Sequence, residues 1–162
     1  MSYELSALGS RLSATTSVAG RGDEMVVGAA DGARKVIRMQ DFRNLRVWRA
    51  AHQVTLTVYR TTAAFPPGER YGLTSQIRRS AASIGANIAE GCGRSSDADT
   101  RRCLQIALGS ACETLNHAML ARDLGMLDDA VFLALEDQMS PVRRMLVRLI
   151  ERLDRPTRAS RH

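Results

Sequence analysis

The stretch YGLTSQIRRSAASIGANIAEGCG, residues 71–93, constrains the fold of this chain more than any other. Its apolar and small residues recur every three or four positions, which at about 100° per residue predicts one amphipathic helix. The face that we expect to line a core comprises Leu73, Ile77, Ser80, Ala81, Ile84, Ile88 and Gly91. We therefore expect the rest of the chain to be organised around this helix.

Two further faces of the same helix carry candidate functional residues. One is a polar stripe made of Gln76, Arg79, Ser83, Asn87 and Glu90. Its members need hydrogen-bond partners wherever they are buried, and Arg79 and Glu90 can pair with each other or across to another helix. Two interpretations stay open: a network that fixes helix register or a subunit contact, and a site for a ligand or for RNA phosphate.

The third face is small, and it is made of Ser75, Ala82, Gly85, Ala86 and Ala89. Such a face is too plain to bind a base, but it lets another backbone come close. We expect a close helix contact there, inside the bundle or between subunits of a homo-oligomer.

Three other segments show helical periodicity. Residues 42–64 follow Asp41 as a cap and end at the Pro66-Pro67 pair, which forbids further helix. The predicted core stripe of that helix is Leu45, Trp48, His52, Leu56, Tyr59 and Ala63.

The third helix is expected to start at Ser95 or Ser96 and to end near Gly125. Asp128 caps a fourth segment that continues to residue 153, and Pro141 inside it should kink the helix or break it. Four helical segments joined by short loops predict an all-α, up-down-up-down antiparallel four-helix bundle over residues 41–154.

The two ends of the chain differ from this central part. Residues 1–40 are rich in Ala, Gly, Ser and Thr without a lasting apolar period, so we expect a disordered leader. Met25 and Met39 are alternative starts, and Met39 directly precedes the periodic region. Residues 155–162 form a basic tail with Arg155, Arg158 and Arg161.

Several classes of protein are disfavoured by what the sequence lacks. It has no apolar run of the roughly 18–20 residues that span a membrane and no secretion signal, so we expect a cytoplasmic protein without a membrane partner. Cys92, Cys103 and Cys112 are scattered, which argues against a disulfide framework. No Glu-x-x-His pair, phosphate-binding glycine loop, G-x-S-x-G turn or zinc spacing occurs, so we expect neither an enzyme nor a cofactor.

Three runs of sequence carry a resemblance to a known family. FRNLRVWRAAHQVTLTVYRTTAAFP, ERYGLTSQIRRSAASIGANIAEGCGR and LQIALGSACETLNHAMLARDLGML resemble, in this order, the four-helix-bundle proteins called 23S rRNA intervening-sequence proteins. The resemblance covers residues 41–153. It implies a ring of identical subunits, typically a pentamer, and no established activity for most members. A related branch, the accessory proteins of diversity-generating retroelements, binds nucleic acid through a basic pentamer surface. Gly85, Thr100, Cys103 and Pro141 depart from the family pattern.

The charge of the chain is unevenly distributed. The formal net charge is +6, and residues 41–80 hold seven arginines against two acids, whereas the second half of the central region is acidic. A basic half suits nucleic acid, although a solvated arginine surface without such a partner is also compatible with it. The candidate phosphate contacts are Arg43, Arg46, Arg49, Arg60, Arg70, Arg78 and Arg79, supplemented by the tail.

The leading hypothesis is a non-enzymatic homo-oligomeric bundle that binds RNA or DNA through these arginines. Aromatic residues make up only 4% of the chain, so contacts to phosphate rather than base stacking are expected, with strong salt sensitivity. The alternatives are a structural or adaptor oligomer that binds another protein, and a bundle enzyme or small-ligand carrier.

Overall fold

The computed structural model describes residues 41–154, to which every structural statement below refers. The helices are α1 (Arg46–Thr61), α2 (Leu73–Cys92), α3 (Asp97–Asp123) and α4 (Asp129–Asp154). Short 3-10 turns lie at Phe42–Asn44, Thr62–Ala64 and Pro67–Glu69. No strand occurs in this range, which confirms the all-α class. The predicted leader and basic tail lie outside the described residues, and none of the four helices is long and apolar enough to cross a membrane.

The ends of the helices follow from local side-chain chemistry. Asp41 accepts a hydrogen bond from the Arg43 backbone N–H (3.0 Å), and so caps the turn that leads into α1. Ser96 accepts one from the Asp99 N–H (3.0 Å) and is the N-cap of α3, as expected. Gly125 has a φ of 72°, which a side chain would disfavour, and it follows Leu124, the C-cap of α3.

Consecutive helices run in opposite directions. Contacts that fix these directions are Thr55–Ala81 and Thr62–Arg78 for α1 and α2, Ser83–Ser110 and Ser80–Thr114 for α2 and α3, and Arg101–Asp154 and Arg122–Asp129 for α3 and α4. In each pair of helices, the residue number of the contact on one helix falls as the residue number on the other helix rises. The neighbours are therefore antiparallel, and α1 also packs against α4.

The predicted core face of α2 is confirmed, because all seven of its residues are buried. Ile77, Ile84 and Ile88 are at most 2% exposed, and burial of each such side chain stabilises the fold by roughly 1.5–3 kcal/mol. Gly91 lies against α3, where an added Cβ would be 3.3 Å from the Cys103 Cβ. Helix α2 thus packs against α1 on one side and against α3 on the other.

Of the predicted core stripe of α1, Leu45 is buried and Trp48 packs against the core, but the stripe as a whole is not the buried face. The residues that α1 buries are Val47, Ala51, Val54 and Val58. Of the predicted stripe, Trp48 and Leu56 are only half-buried, whereas His52, Tyr59 and Ala63 are exposed. The physical reason is that the Trp48 ring lies at the edge of the α1–α2 contact, with its Nε1 3.5 Å from where a Cβ of Gly85 would be. His52 stacks on this ring with centroids 5.0 Å apart, outside the core.

Pro141 does not break α4. The helix is continuous from Asp129 to Asp154, so of the two expected outcomes, a kink or a break, the break is wrong. A proline within a helix removes one backbone hydrogen bond and crowds the preceding turn. The fully buried side chains of Met139 and Val142 flank it, and their burial in the core offsets that cost.

Candidate functional site

The arginines predicted to contact phosphate at the start of α1 are partly engaged within the chain. The guanidinium of Arg43 pairs with Asp41 at 2.7 Å. This contact holds the pKa of the Asp41 carboxyl below its usual value and raises the pKa of Arg43. Arg49 donates to the Arg43 carbonyl oxygen (2.8 Å), and Arg46 is exposed on the same helix. These side chains remain solvent-accessible, but Arg43 has little uncompensated charge.

A second group of predicted arginines lies near the other end of α1. Arg78 of α2 donates to the Thr62 hydroxyl (2.7 Å), and its guanidinium lies 5.0 Å from the centroid of the Tyr59 ring. Arg60 is exposed in the last turn of α1. Since Arg46 and Arg60 are separated by fourteen residues of one helix, or roughly 21 Å, the structure does not bring the predicted set into one cluster.

The inner part of the polar stripe forms a hydroxyl seam between α2 and α3. Ser110 donates to the Ser83 hydroxyl at 3.0 Å, and Thr114 donates to the Ser80 hydroxyl at 3.0 Å. The Asn87 amide donates to the backbone carbonyl and the hydroxyl of Ser83 at 2.8 and 2.9 Å. Because these polar groups satisfy one another at the contact of two helices, their arrangement matches a network that fixes helix register.

The outer part of the stripe consists of ion pairs. Arg79 donates to Gln76 (3.0 Å) and to Glu113 of α3 (3.1 Å). Glu90 pairs with Arg94, one turn further along, and this contact raises the pKa of Arg94. Arg79 therefore pairs across to another helix, one of the two arrangements that the sequence suggested, and it does not pair with Glu90.

The small face of α2 divides into an inner and an outer part. Gly85 lies beneath the edge of Trp48, whose ring contacts Phe42 edge-on with centroids 5.0 Å apart. Ala82 and Ala86 are exposed to solvent on the same helix. Part of this face is thus a close contact inside the bundle, while the alanines leave a flat, uncharged strip of α2 uncovered in the single chain.

The sequence interpretation missed a groove of about 600 Å³ between α3 and α4. Its walls include Arg143, Arg144 and Arg148 from α4, together with Glu151. The three arginines are exposed and form no hydrogen bond or ion pair with any residue in the range 41–154. In the sequence, the charge was averaged over the second half of residues 41–154. The acids at the start of α4 cancel, in that average, the arginines that follow Pro141. Their spacing at one-turn intervals could have revealed them.

The residue types that bind metal ions are scattered in the described part of the chain. No group of three or more His, Cys, Asp and Glu residues suited to a metal ion occurs between residues 41 and 154. Burial raises the pKa of the Cys92 thiol and so keeps it protonated. Glu113 lies 3.5 Å from His117, but it also binds Arg79. The Glu113–His117 contact therefore lies beside the ion pair of Glu113 with Arg79.

The fold and these surfaces define an all-α helical-bundle protein with an arginine-lined groove. Residues 43–148 match the model of the 23S rRNA-intervening sequence protein family, and the chain belongs to that family. A crystal structure of a protein of unknown function from the S23 ribosomal protein family of Bacteroides thetaiotaomicron is similar, with 24% identity and a TM-score of 0.59. The alignment covers 65% of this chain and 98% of that one, and at this identity it supports the fold alone. A comparison with curated proteins gives no match.

Proposed function

We propose that this chain is a non-enzymatic, homo-oligomeric bundle protein that binds RNA or DNA through exposed arginines. The observation that carries the proposal is a set of guanidinium groups without carboxylate partners in the range 41–154. Those that are exposed and form no hydrogen bond or ion pair in this range are Arg60, Arg70, Arg102, Arg143, Arg144, Arg148 and Arg152. Arginine forks match the geometry of phosphate oxygens, and the counterions that they displace from nucleic acid drive binding. Of the arginines proposed from sequence, Arg60 and Arg70 fit this description.

The exposed part of the small face supports self-association. Ala82 and Ala86 offer a second helix a close approach without desolvating any charge. A ring of identical subunits would also repeat each arginine surface, so that a modest affinity per subunit becomes a high avidity. The family resemblance implies such a ring, typically of five subunits.

A protein-binding adaptor is the second candidate, and exposed apolar side chains favour it. Tyr71 is 87% exposed, and Leu124 and Leu133 are each 60% exposed. Such residues are common at the centres of protein interfaces. An adaptor would bind its partner with little dependence on salt, whereas phosphate contacts weaken steeply as salt rises.

Light scattering coupled to size-exclusion chromatography, with and without a structured RNA, tests both parts of the proposal. We expect an oligomer that binds RNA at about 50 mM salt and releases it at about 200 mM. A monomer at micromolar concentration would refute the assembly. An oligomer that ignores RNA and duplex DNA at both salt concentrations would refute nucleic-acid binding.

Two pairs of variants sharpen this test. Arg60→Gln should lower the slope of log affinity against log salt by about 0.7–0.9 per contact, depending on whether the nucleic acid is single- or double-stranded. The control Arg101→Gln changes the net charge equally but removes an arginine already paired with Asp154. Ala86→Phe should split the oligomer, whereas Ala134→Phe, on the exposed side of α4, should leave it intact.

A further inference from the structure

We propose that the groove between α3 and α4 binds the sugar–phosphate backbone of nucleic acid, with Arg144 and Arg148 as its principal contacts. This inference rests on the proposed function and assigns it a place on the molecule. Arg144, Arg148 and Arg152 succeed one another at intervals of four residues, and so they lie along one side of α4 at steps of about 6 Å. A strand with one phosphate every roughly 3.4 Å of duplex axis can face several of these guanidinium groups at once.

The stability of α4 alone does not account for these arginines. Basic side chains stabilise a helix near its C-terminus, but this effect is confined to about the last turn. Arg152 lies within that turn, whereas Arg144 and Arg148 precede it. Neither forms an ion pair with Glu151 or with any other carboxylate of residues 41–154. Two charges are therefore held on the wall of a groove without a partner among residues 41–154.

The lining of the groove favours contacts to the backbone over contacts to bases. Leu108 and Val147 supply apolar surface, and Ser140 supplies a hydroxyl. Among residues 41–154, no aromatic side chain lines it on which a base could stack. With three arginines against Glu151, the groove carries a net positive charge that suits a run of phosphates. Glu151 reduces that positive charge, so its replacement by a neutral residue should raise the affinity for nucleic acid, whereas replacement of an arginine should lower it.

Cys112 provides a reporter that is already in place. It lines the groove and is exposed, whereas Cys92 and Cys103 are buried. In the full-length protein at about 50 mM salt, an RNA hairpin at saturation should slow alkylation of Cys112 by N-ethylmaleimide by about tenfold. The protection should disappear at about 200 mM salt as the RNA is released. Peptide mass spectrometry measures each cysteine separately.

Variants of the groove should change RNA affinity in both directions. The double variant Arg144→Gln/Arg148→Gln should lose Cys112 protection and lower the salt slope by about 1.4–1.8, the effect of two phosphate contacts. Glu151→Gln should raise RNA affinity by removing the one acid. Its matched control is Glu136→Gln, an exposed acid in the first half of α4, which should have a smaller effect. These side chains are exposed, so the variants should keep the wild-type helical content.

The possible outcomes separate the groove from the proposed function. If the unaltered protein binds no RNA, the proposed function fails and the groove assignment fails with it. If RNA binds but Cys112 reacts as before and the double variant binds normally, only the groove assignment is overturned. The same holds if Cys112 is already unreactive in the free protein, because another copy of the chain would then cover the groove. If polyglutamate or pyrophosphate protects Cys112 in place of RNA, the assignment of the groove to nucleic acid is overturned in favour of an acidic polypeptide or a free phosphate.

Discussion

Gly109 offers a sharp test of the single-chain packing. It lies in the middle of α3 and is exposed, and a Cβ added to it would meet no atom within 4 Å. A glycine inside a helix is less stable than an alanine by about 0.5–1 kcal/mol, because it loses more backbone freedom on folding. Since no neighbour opposes the new methyl group, Gly109→Ala should stabilise the chain by this full amount.

The assay is urea unfolding followed by circular dichroism at several protein concentrations. With a urea slope of roughly 1–3 kcal/mol/M, the predicted gain raises the unfolding midpoint by roughly 0.2–1 M. Gly91→Ala is the matched control, since it makes the same change in a buried helical position. There the Cβ would lie 3.3 Å from the Cys103 Cβ and 3.5 Å from the Thr100 carbonyl oxygen. We expect this crowding to cancel or reverse the gain.

A lower midpoint for Gly109→Ala would refute the reasoning, because it would mean that the space beside Gly109 is filled. The concentration dependence then identifies the cause. If the loss grows as subunits assemble, another copy of the chain approaches the backbone of α3 at this point. If the loss is independent of concentration, the packing of α3 within the chain differs from that described above.

Two further predictions concern α4 and the start of the bundle. Pro141→Ala restores the hydrogen bond from residue 141 to the carbonyl of Asp137, and should raise the free energy of unfolding in urea by up to about 3 kcal/mol; no change would contradict the cost assigned to the proline. Arg43 lowers the pKa of Asp41 in the folded state. The contribution of this contact to folding stability is therefore fully present above the usual Asp pKa, and it is lost as the pH falls through the lowered pKa. NMR titration of the Asp41 carboxyl should show a higher pKa in Arg43→Gln, and an unchanged pKa would exclude Arg43 as its cause.

The sequence was sufficient to predict α2 because its buried face can be identified from its own residues. Ile77, Ile84 and Ile88 define one apolar face, and the small residues between them allow α1 and α3 to approach from both sides. The ends of α3 were equally predictable, since Ser96 and Gly125 act through their own backbone geometry. These features depend on local chemistry and need no knowledge of the partner helix.

The core face of α1 was not predictable in the same way. Large residues at helical spacing, such as Trp48 and Tyr59, suggested the buried side, but the smaller Val47, Val54 and Val58 occupy it. Whether a large ring or a valine fits depends on the space left by α2, and Gly85 leaves that space at the edge of the contact. Such a preference arises from the packing of two helices and is not contained in either sequence segment alone.

The candidate site was predicted only in part, for an electrostatic reason. A count of charges in the sequence shows where arginines are but not which carboxylates they pair with. Arg43, Arg60 and Arg79 were therefore equal candidates for phosphate binding. In the folded chain, Asp41 pairs with Arg43 and Glu113 pairs with Arg79. The groove was missed because averaging over a long segment cancels charges that lie at opposite ends of α4. The pairing of arginines with carboxylates and the separation of opposite charges along α4 are properties of the folded chain. They determine which arginines remain available to a polyanion.

The position of Trp48 gives the protein an internal optical probe. It is the only tryptophan of the chain, and it lies where α1 meets α2, stacked on His52 and in contact with Phe42. Its fluorescence therefore reports the docking of the shortest helix, whereas the circular dichroism signal arises mainly from the longer α3 and α4. Coincidence of the two signals during unfolding would mean that the bundle melts as one cooperative unit. An earlier change in emission would mean that α1 detaches first and leaves α2 to α4 as a separate folding unit.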